Sequence, residues 1–309
     1  MFNGGLIGQV LKPEALPKLS GMRASSITFS PRDLAQALGV SESSVRRWVD
    51  RGEIPSLRTE GGHRRIELAS AVSYIRKKGL RVAEPELLGL RQGLRGSSSA
   101  PDALHAALEA GQEGQAWDIV VQLFLDGTRV AQIGDEWIRP AMQRIGELWT
   151  GGEAGILIEH RATGICSSIL SRMQTLFAEP TGPIAVGGAP SGDPYTLPSK
   201  LSSLVLRAAG FQAVDLGPST PLNVLAEAAR ELEARLVWLS VSAPLKEPSD
   251  RRALSAWLEL LAGEGRTLVL GGRGIQSLEL PVLEGVHPVQ RASELHALAL
   301  GMAWADRAG

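Results

Sequence analysis

Between residues 101 and 177, apolar side chains recur at spacings of three and four, the period of an amphipathic α-helix. Short glycine-containing breaks divide this pattern into four segments. Helices joined by short breaks bury their apolar faces against one another. The pattern therefore predicts a four-helix bundle, with helices over 103–110, 115–126, 134–149 and 155–177.

The pattern changes after Pro180, where short apolar runs alternate with amphipathic segments. The runs predict buried strands over 184–188, 213–216, 236–241 and 267–270. The segments between and after them predict helices over 197–209, 221–233, 250–261 and 291–307. Alternating strands and helices indicate a parallel sheet with helices on both faces, which binds ligands at the carboxyl ends of its strands. Small residues at those ends either leave space for a ligand or form ordinary turns.

A third pattern precedes the bundle and predicts a helix-turn-helix followed by a hairpin. A helix over 31–38 ends at Gly39, and Ser41 supplies the N-cap of a second helix that reaches Val49. A second helix of this kind fits the DNA major groove. A Gly-Gly turn between extended arms then forms a basic wing. Candidate DNA contacts on the second helix and the wing are Ser43, Arg46, Arg47, Arg51, Arg58, His63, Arg64 and Arg65.

Charge supports this interpretation over a small helical hairpin with a solvated charged face. Residues 27–80 contain ten Arg or Lys and six Asp or Glu, a balance of +4 in a chain whose net charge is −1. A basic island in a nearly neutral chain is typical of phosphate binding. The segment Arg58 to Arg65, with its Gly-Gly-His-Arg core, resembles the wing of the MerR family. The resemblance implies binding to double-stranded operator DNA, and the small head favours a homo-oligomer, a dimer or higher.

Length and composition limit the remaining possibilities. The 309 residues predict a multidomain α and α/β protein with a loose tail over 1–26, the head over 27–80, a linker over 81–100, the bundle over 101–180 and the sheet domain over 181–309. No signal peptide and no apolar run of about 20 residues is evident, so we expect a cytoplasmic protein without a membrane partner. The single cysteine, Cys166, excludes an internal disulfide and is expected to be buried.

A tryptophan followed by a Glu-His pair narrows the function further. Trp149 precedes Glu159 and His160 by ten and eleven residues, a spacing that is by itself typical of an exposed pair. In a bundle that precedes a flavodoxin-like sheet, W-x9-E-H resembles the cobalamin-binding module, whose bundle caps the corrin. Joined to a MerR head, the architecture resembles the light-sensing, cobalamin-dependent repressors of carotenoid genes. The resemblance implies a pocket around an adenosyl group, the upper ligand of cobalt, matched here by Trp149, Ile156, Glu159 and His160. It also implies contacts to the nucleotide tail, matched here by Ser219, Thr220, Ser240, Ser242, Gly271 and Gly272.

One loop departs from that family. The family pattern D/E-x-H-x-x-G carries the histidine that ligates cobalt from below, whereas Tyr195 and Pro198 occupy the histidine and glycine positions here. A phenol with a pKa near 10 is a poor cobalt ligand at neutral pH. Three possibilities remain open: cobalamin, such as adenosylcobalamin, bound without histidine ligation; another tetrapyrrole, such as a bilin or haem, with Tyr195 stacking on it and His160 as a polar contact or axial ligand; or no ligand, the module serving oligomerisation or a protein partner.

An enzyme of the cobalamin-dependent mutase or methyltransferase type is the rival functional class. Such an enzyme would require the cobalt-ligating histidine and a catalytic barrel. The sequence shows neither feature, so we expect a ligand- or light-responsive transcriptional regulator whose C-terminal module senses a tetrapyrrole.

Overall fold

The computed structural model describes residues 27–89, 101–148, 152–245 and 247–308. The chain divides into two compact units, Ser26–Glu179 and a second that begins at Pro180. The first unit is helical with one small sheet, and the second is built on a parallel sheet. The predicted multidomain α and α/β fold is confirmed. Among the described residues, no helix combines the length and apolarity that a membrane span requires.

The first unit begins with the predicted helix-turn-helix and wing. Their elements are β1 (Thr28–Phe29), α1 (Pro31–Leu38), α2 (Glu42–Asp50), β2 (Leu57–Arg58), β3 (Arg64–Glu67) and α3 (Leu68–Lys78). Ser30 and Asp33 form a capping box at α1, and the Ser41 hydroxyl accepts the Ser44 N–H at 3.2 Å to cap α2. The three strands form an antiparallel sheet in the order β1-β3-β2. Ile66 is buried in β3, where it pairs with Phe29 of β1.

The bundle follows in the same unit. Its elements are α4 (Pro101–Glu109), α5 (Glu113–Leu125), α6 (Val130–Ile133), a π-helical turn (Gly134–Ile138), α7 (Arg139–Glu147) and α8 (Glu153–Gln174). The predicted third helix therefore starts at Val130 rather than Gly134, because Gly134 has helical φ and ψ and continues the helix through the π turn. Fully buried apolar residues fill the space between the helices: Leu104, Leu108, Ile133, Ile145 and Ile169.

The second unit alternates strands and helices as predicted. Its elements are β4 (Ile184–Gly188), α9 (Leu197–Ala208), β5 (Gln212–Asp215), α10 (Leu222–Glu231), β6 (Leu236–Ser240), α11 (Pro248–Gly263), β7 (Thr267–Gly271), β8 (Val286–Pro288) and α12 (Ala292–Ala308). All strand pairs are parallel, in the order β5-β4-β6-β7-β8. The four predicted strands are confirmed, whereas the edge strand β8 was not predicted because it is short, partly exposed and ends in a proline.

Alternation along the strands divides the side chains of this sheet between two faces. On one face, Val186, Val237 and Leu239 pack with α10 and α11 in a continuous apolar core. On the other face, Trp238 contacts α9, which in turn packs against α12. The carboxyl ends of β4, β6 and β7 thus lie side by side between two helical layers.

Candidate functional site

The second helix of the head presents a polar outer face, as predicted. Val45 and Val49 are buried, whereas Ser43, Arg46 and Arg47 are exposed. The half-buried Trp48 packs inward, with its ring centre 5.0 Å from that of Tyr74 in α3. The exposed face of α2 is therefore available to DNA while the inner face holds the helix on the head.

The arginines of this interface differ in their partners. The Arg46 guanidinium pairs with Glu42 on the same helix at 2.7 Å, and Arg51 lies 3.9 Å from Glu53. In the described part of the chain, no carboxylate pairs with Arg47. Because an added anion must compete with any carboxylate already bound, Arg47 is the α2 arginine whose guanidinium is most open to a further partner.

The wing joins β2 to β3 through Gly61 and Gly62. The Gly62 N–H donates to the Thr59 carbonyl, and the Thr59 N–H donates to the His63 carbonyl, so the turn is closed by backbone hydrogen bonds. Arg58, His63 and Arg65 are exposed along it. Arg64 instead pairs with Asp50 at 2.5 Å and ties the wing to the end of α2. This ion pair is not evident from the sequence, where Arg64 is one of several basic wing residues.

A contact that the sequence did not reveal joins the head to the bundle within the first unit. The Arg76 guanidinium donates to the carbonyls of Thr128 and Gly127, at 3.2 and 3.4 Å, just beyond the end of α5. It also lies over the Phe124 ring. Burial lowers the pKa of Arg76 from its usual value. The cation thus caps the negative end of α5 and fixes α3 against it.

The predicted upper-ligand residues lie on the first turns of α8. The Glu159 carboxylate accepts a hydrogen bond from Thr163 at 3.0 Å and lies 3.7 Å from the His160 ring. The His160 side chain is 70 % exposed, whereas that of Glu159 is 21 % exposed, so the histidine is solvated and the carboxylate is mostly covered. Ile156 and Leu157 expose apolar surface beside it. The fourth predicted residue, Trp149, lies outside the described residues.

The loop after β4 is organised by Asp193 rather than by Tyr195. The Asp193 carboxylate is 1 % exposed and accepts three backbone N–H groups, from Tyr195 at 3.1 Å, Ala243 at 2.9 Å and Ser242. These bonds tie the loop after β4 to the chain after β6. The Tyr195 side chain is 45 % exposed, and Pro198 occupies the first turn of α9, where its missing N–H costs nothing.

The residues expected at a nucleotide tail lie at the carboxyl edge of the sheet. The Thr220 hydroxyl donates to the carbonyls of Leu216 and Gly217, and the Ser219 N–H donates to the Asp193 carbonyl at 3.0 Å. Ser240 is buried at the end of β6, whereas Ser242 is partly exposed.

The Gly271-Gly272 turn is explained by close approach of the backbone. A Cβ added at Gly272, where φ is +105°, would lie 2.2 Å from the Val241 carbonyl oxygen. Only glycine fits at that position. The turn is therefore set by the packing of β7 against the chain after β6, whether or not a ligand is bound.

A groove of about 550 Å³ lies on the opposite face of the sheet. Its walls are mainly apolar and come from α10 and α11, including Leu222, Leu254 and Trp257. None of the predicted ligand residues lines it. Among the described residues, no cluster of three or more His, Cys, Asp or Glu is arranged to hold a metal ion, and His160 is not part of one.

Comparison with known proteins assigns the two parts of the first unit. A family model described as a helix-turn-helix domain matches residues 28–79, and one described as a B12 binding domain matches residues 101–174. The chain joins a helix-turn-helix domain to a B12 binding domain. The matched B12 binding domain corresponds to α4 to α8, the helical bundle.

Two curated relatives share parts of this arrangement. The HTH-type transcriptional repressor CarA of Myxococcus xanthus is 24 % identical over 229 residues, 69 % of this chain and 76 % of CarA. Dimethylamine corrinoid protein 1 of Methanosarcina acetivorans is 22 % identical over 146 residues, 46 % of this chain and 68 % of that protein. The monomethylamine corrinoid protein of Methanosarcina barkeri aligns in structure with a TM-score of 0.48 and 17 % identity, over 64 % of this chain and 96 % of that one. The domain matches and CarA together support a DNA-binding regulator rather than an enzyme, with cobalamin-type binding.

The residues of the second unit that match the family's tail site fit cobalamin only in part. Tyr195 gives no imidazole to cobalt, and its loop is fixed by the Asp193 hydrogen bonds. On the face of the sheet that carries the Ser240 side chain, the Trp238 indole fills the space two residues earlier along β6. On α8, the side chains of Ile156, Leu157 and His160 are exposed.

Proposed function

We propose that the protein is a DNA-binding transcriptional regulator that senses a corrinoid through its helical bundle. The observation that carries this proposal is the Arg76 contact, because it joins the DNA-binding head directly to the bundle that matches a B12 binding domain. Phe124, under Arg76, is also 5.2 Å from Phe177, which follows α8. A ligand that shifts α8 can therefore change the position of the head, provided that it binds the two arrangements with different affinity.

The DNA side of the proposal uses the exposed cations of the head. Ser43 and Arg47 on α2 would face base edges in the major groove, with Arg46 and Arg51 beside them. Arg58, His63 and Arg65 on the wing would contact phosphates, because all three are exposed around a closed turn. Arg64 would position the wing through Asp50. Paired heads in a homodimer would multiply the few base pairs that one head covers.

The ligand side of the proposal uses the start of α8. Ile156 and Leu157 offer apolar surface to a corrin substituent, such as the adenosyl group of adenosylcobalamin, and Glu159 and His160 offer hydrogen bonds. Trp149 would complete this upper pocket. Cobalt would have no histidine below it, since Tyr195 stands in the loop. Where haem or a bilin is the natural ligand, His160 would serve as its polar contact or axial ligand.

The test is DNA binding by the full-length protein in the presence and absence of ligand. An operator selected from random duplexes is titrated with protein alone and with adenosylcobalamin, biliverdin or haemin, in the dark and after illumination. We expect a ligand that colours the protein to change operator affinity, with Arg47→Ala as the variant that weakens binding in every state. Colourless protein and unchanged operator affinity with all ligands would support the ligand-independent alternative, in which the C-terminal part oligomerises or binds a protein partner.

Light scattering tests the expected dimer separately. The full-length protein is measured free and bound to its operator. A mass of two or more chains on DNA is expected, and one chain in both states would exclude the homo-oligomer.

A further inference from the structure

The indole of Trp238 fills the space between the parallel sheet and α9. Trp238 lies in the middle of β6 and is 1 % exposed. It pairs in register with Gly187 of β4, which pairs in turn with Asp215 of β5. A Cβ added at Gly187 would lie 2.0 Å from the indole ring. The ring therefore extends from β6 across β4, and the glycine is required to make room for it.

Hydrogen bonds fix the far edge of the ring. The Trp238 indole N–H donates to the Ser199 hydroxyl at 3.0 Å, and that hydroxyl donates to the Asp215 carboxylate at 2.7 Å. Asp215 also accepts the Gly217 N–H at 3.0 Å. The indole thus reaches from β6 across β4, and its N–H is satisfied by Ser199 of α9, which Asp215 of β5 holds in turn. A buried ring held in this way has one well-defined position.

Trp238 lies directly below the residues expected to contact a nucleotide tail. Trp238 and Ser240 are two residues apart on β6, so their side chains share one face of the sheet. Ser240 pairs with Gly271, and Thr220 bridges Pro190 near the end of β4. A group that contacts Ser240 and Thr220 and extends inward between the sheet and α9 would therefore reach the position that the indole already fills.

The base of the cobalamin tail, 5,6-dimethylbenzimidazole, is a fused five- and six-membered aromatic bicycle, like indole. We propose that Trp238 occupies the position of this base, so that the protein excludes the nucleotide tail and recognises the corrin ring from the bundle side alone. The proposal deepens the corrinoid-sensing function proposed above and rests on it. Cobalamin would bind with its tail outside the sheet domain, and tail-less cobinamide would bind equally well.

The first experiment compares two corrinoids on the full-length protein. Hydroxocobalamin and aquocobinamide are titrated into the wild type, and visible spectra show whether dimethylbenzimidazole stays on cobalt. We expect the two dissociation constants to agree within about threefold and bound cobalamin to remain base-on. Cobalamin preferred by about tenfold or more, with a base-off spectrum, would overturn the proposal. This comparison needs no variant, so a folding defect cannot obscure it.

The second experiment probes the space without a corrin. The fluorescent free base 5,6-dimethylbenzimidazole is titrated into the wild type, Trp238→Gly and the matched control Trp238→Phe, each checked for folding by circular dichroism. Only Trp238→Gly is expected to bind it, since an apolar cavity of the right shape accepts an aromatic guest. Binding to the wild type, or to none of the folded proteins, would overturn the assignment.

The two experiments separate the two proposals. If no corrinoid binds any of the proteins, the proposed sensing function fails. Binding of dimethylbenzimidazole to Trp238→Gly but not to the other proteins would still show that Trp238 fills a space shaped for that base. If corrinoids bind but the tail inserts in the wild type, sensing stands and the role of Trp238 fails.

Discussion

The guanidinium carbon of Arg76 lies 3.8 Å from the centre of the Phe124 ring, where the DNA-binding head meets the helical bundle. This one side chain stacks on an aromatic ring and donates to two backbone carbonyls beyond α5. Its neighbours in the basic run at the end of α3, Lys77 and Lys78, are exposed. Arg76 is therefore part of the structural link between the two domains, whereas its sequence position suggested only another cation of the head.

Replacing Arg76 should weaken this link. Arg76→Ala removes a partly desolvated cation–π contact and two hydrogen bonds to carbonyls, which together should lower the free energy of unfolding by about 1–2 kcal/mol. Arg76→Lys should recover only part of the loss, because an ammonium group lacks the planar stack. Urea unfolding of the full-length protein measures the effect, with the exposed Lys77→Ala as the control. Equal midpoints for Arg76→Ala and Lys77→Ala would contradict the assignment.

Two arginines of the head should differ in their effect on DNA binding. Arg47→Ala should weaken operator binding by about 1–3 kcal/mol if the guanidinium reads a guanine edge, and should relax specificity at that base. Arg58→Ala should weaken all duplexes similarly and reduce the salt dependence by about one counterion. Fluorescence anisotropy with operator and random duplexes at several salt concentrations separates the two. A uniform loss with Arg47→Ala would make it a phosphate contact.

Much of the fold was predictable because its signals are local. The runs that became β4, β6 and β7 are apolar, with a proline before β4 and a glycine at the end of β7, and Ser30 and Ser41 cap the helices that follow them. The edge strand β8 carries no such signal, since its pairing with β7 depends on a neighbour far away in the sequence.

The unpredicted parts of the site depend on contacts between distant residues. Trp238 was predicted only as a strand residue, because its hydrogen bond to Ser199 and its contact with Gly187 join three separate segments. Asp193 was visible in the loop pattern, but the N–H groups that it binds come partly from the chain after β6. Residue type and spacing indicate candidates, whereas the partners that define their roles follow from the topology.

Asp193 should be essential to the loop after β4. Asp193→Asn replaces an acceptor-only carboxylate by an amide whose NH₂ must face at least one backbone N–H, so a buried charge-assisted hydrogen bond is lost. We expect the free energy of unfolding to fall by about 2 kcal/mol. Asp250→Asn, at the exposed start of α11, is the matched control in urea unfolding. A variant as stable as this control would show that the loop is held by other contacts.

Cys166 should be unreactive in the folded protein. It is 1 % exposed, and burial raises the pKa of its thiol to about 12. At pH 8 the thiolate form is then on the order of one part in ten thousand of the folded protein. Labelling by 5,5′-dithiobis(2-nitrobenzoic acid) should therefore occur only as the protein unfolds. The thiol of the unfolded chain has a pKa of about 8.5 and therefore loses its proton before the buried thiol does. The free energy of unfolding should then fall as the pH rises from about 8.5 towards the folded pKa of about 12. Cys166→Ala should lack this fall, and rapid labelling of native wild type would contradict the burial.

The exposed start of α8 gives a direct test of the ligand site. Because the His160 side chain is 70 % exposed and Ile156 is 37 % exposed, truncating either should leave the thermal midpoint of the free protein nearly unchanged. Under the proposed function, His160→Ala and Ile156→Ala should each weaken adenosylcobalamin binding by about 1 kcal/mol or more, through a lost hydrogen bond and lost apolar contact. Glu153→Ala, exposed at the N-terminal end of the same helix, is the control and should change neither quantity. Equilibrium dialysis of the three variants measures the affinity, and differential scanning calorimetry measures the midpoint. If His160→Ala and Ile156→Ala bind adenosylcobalamin as tightly as Glu153→Ala does, this face of the bundle is not the ligand site.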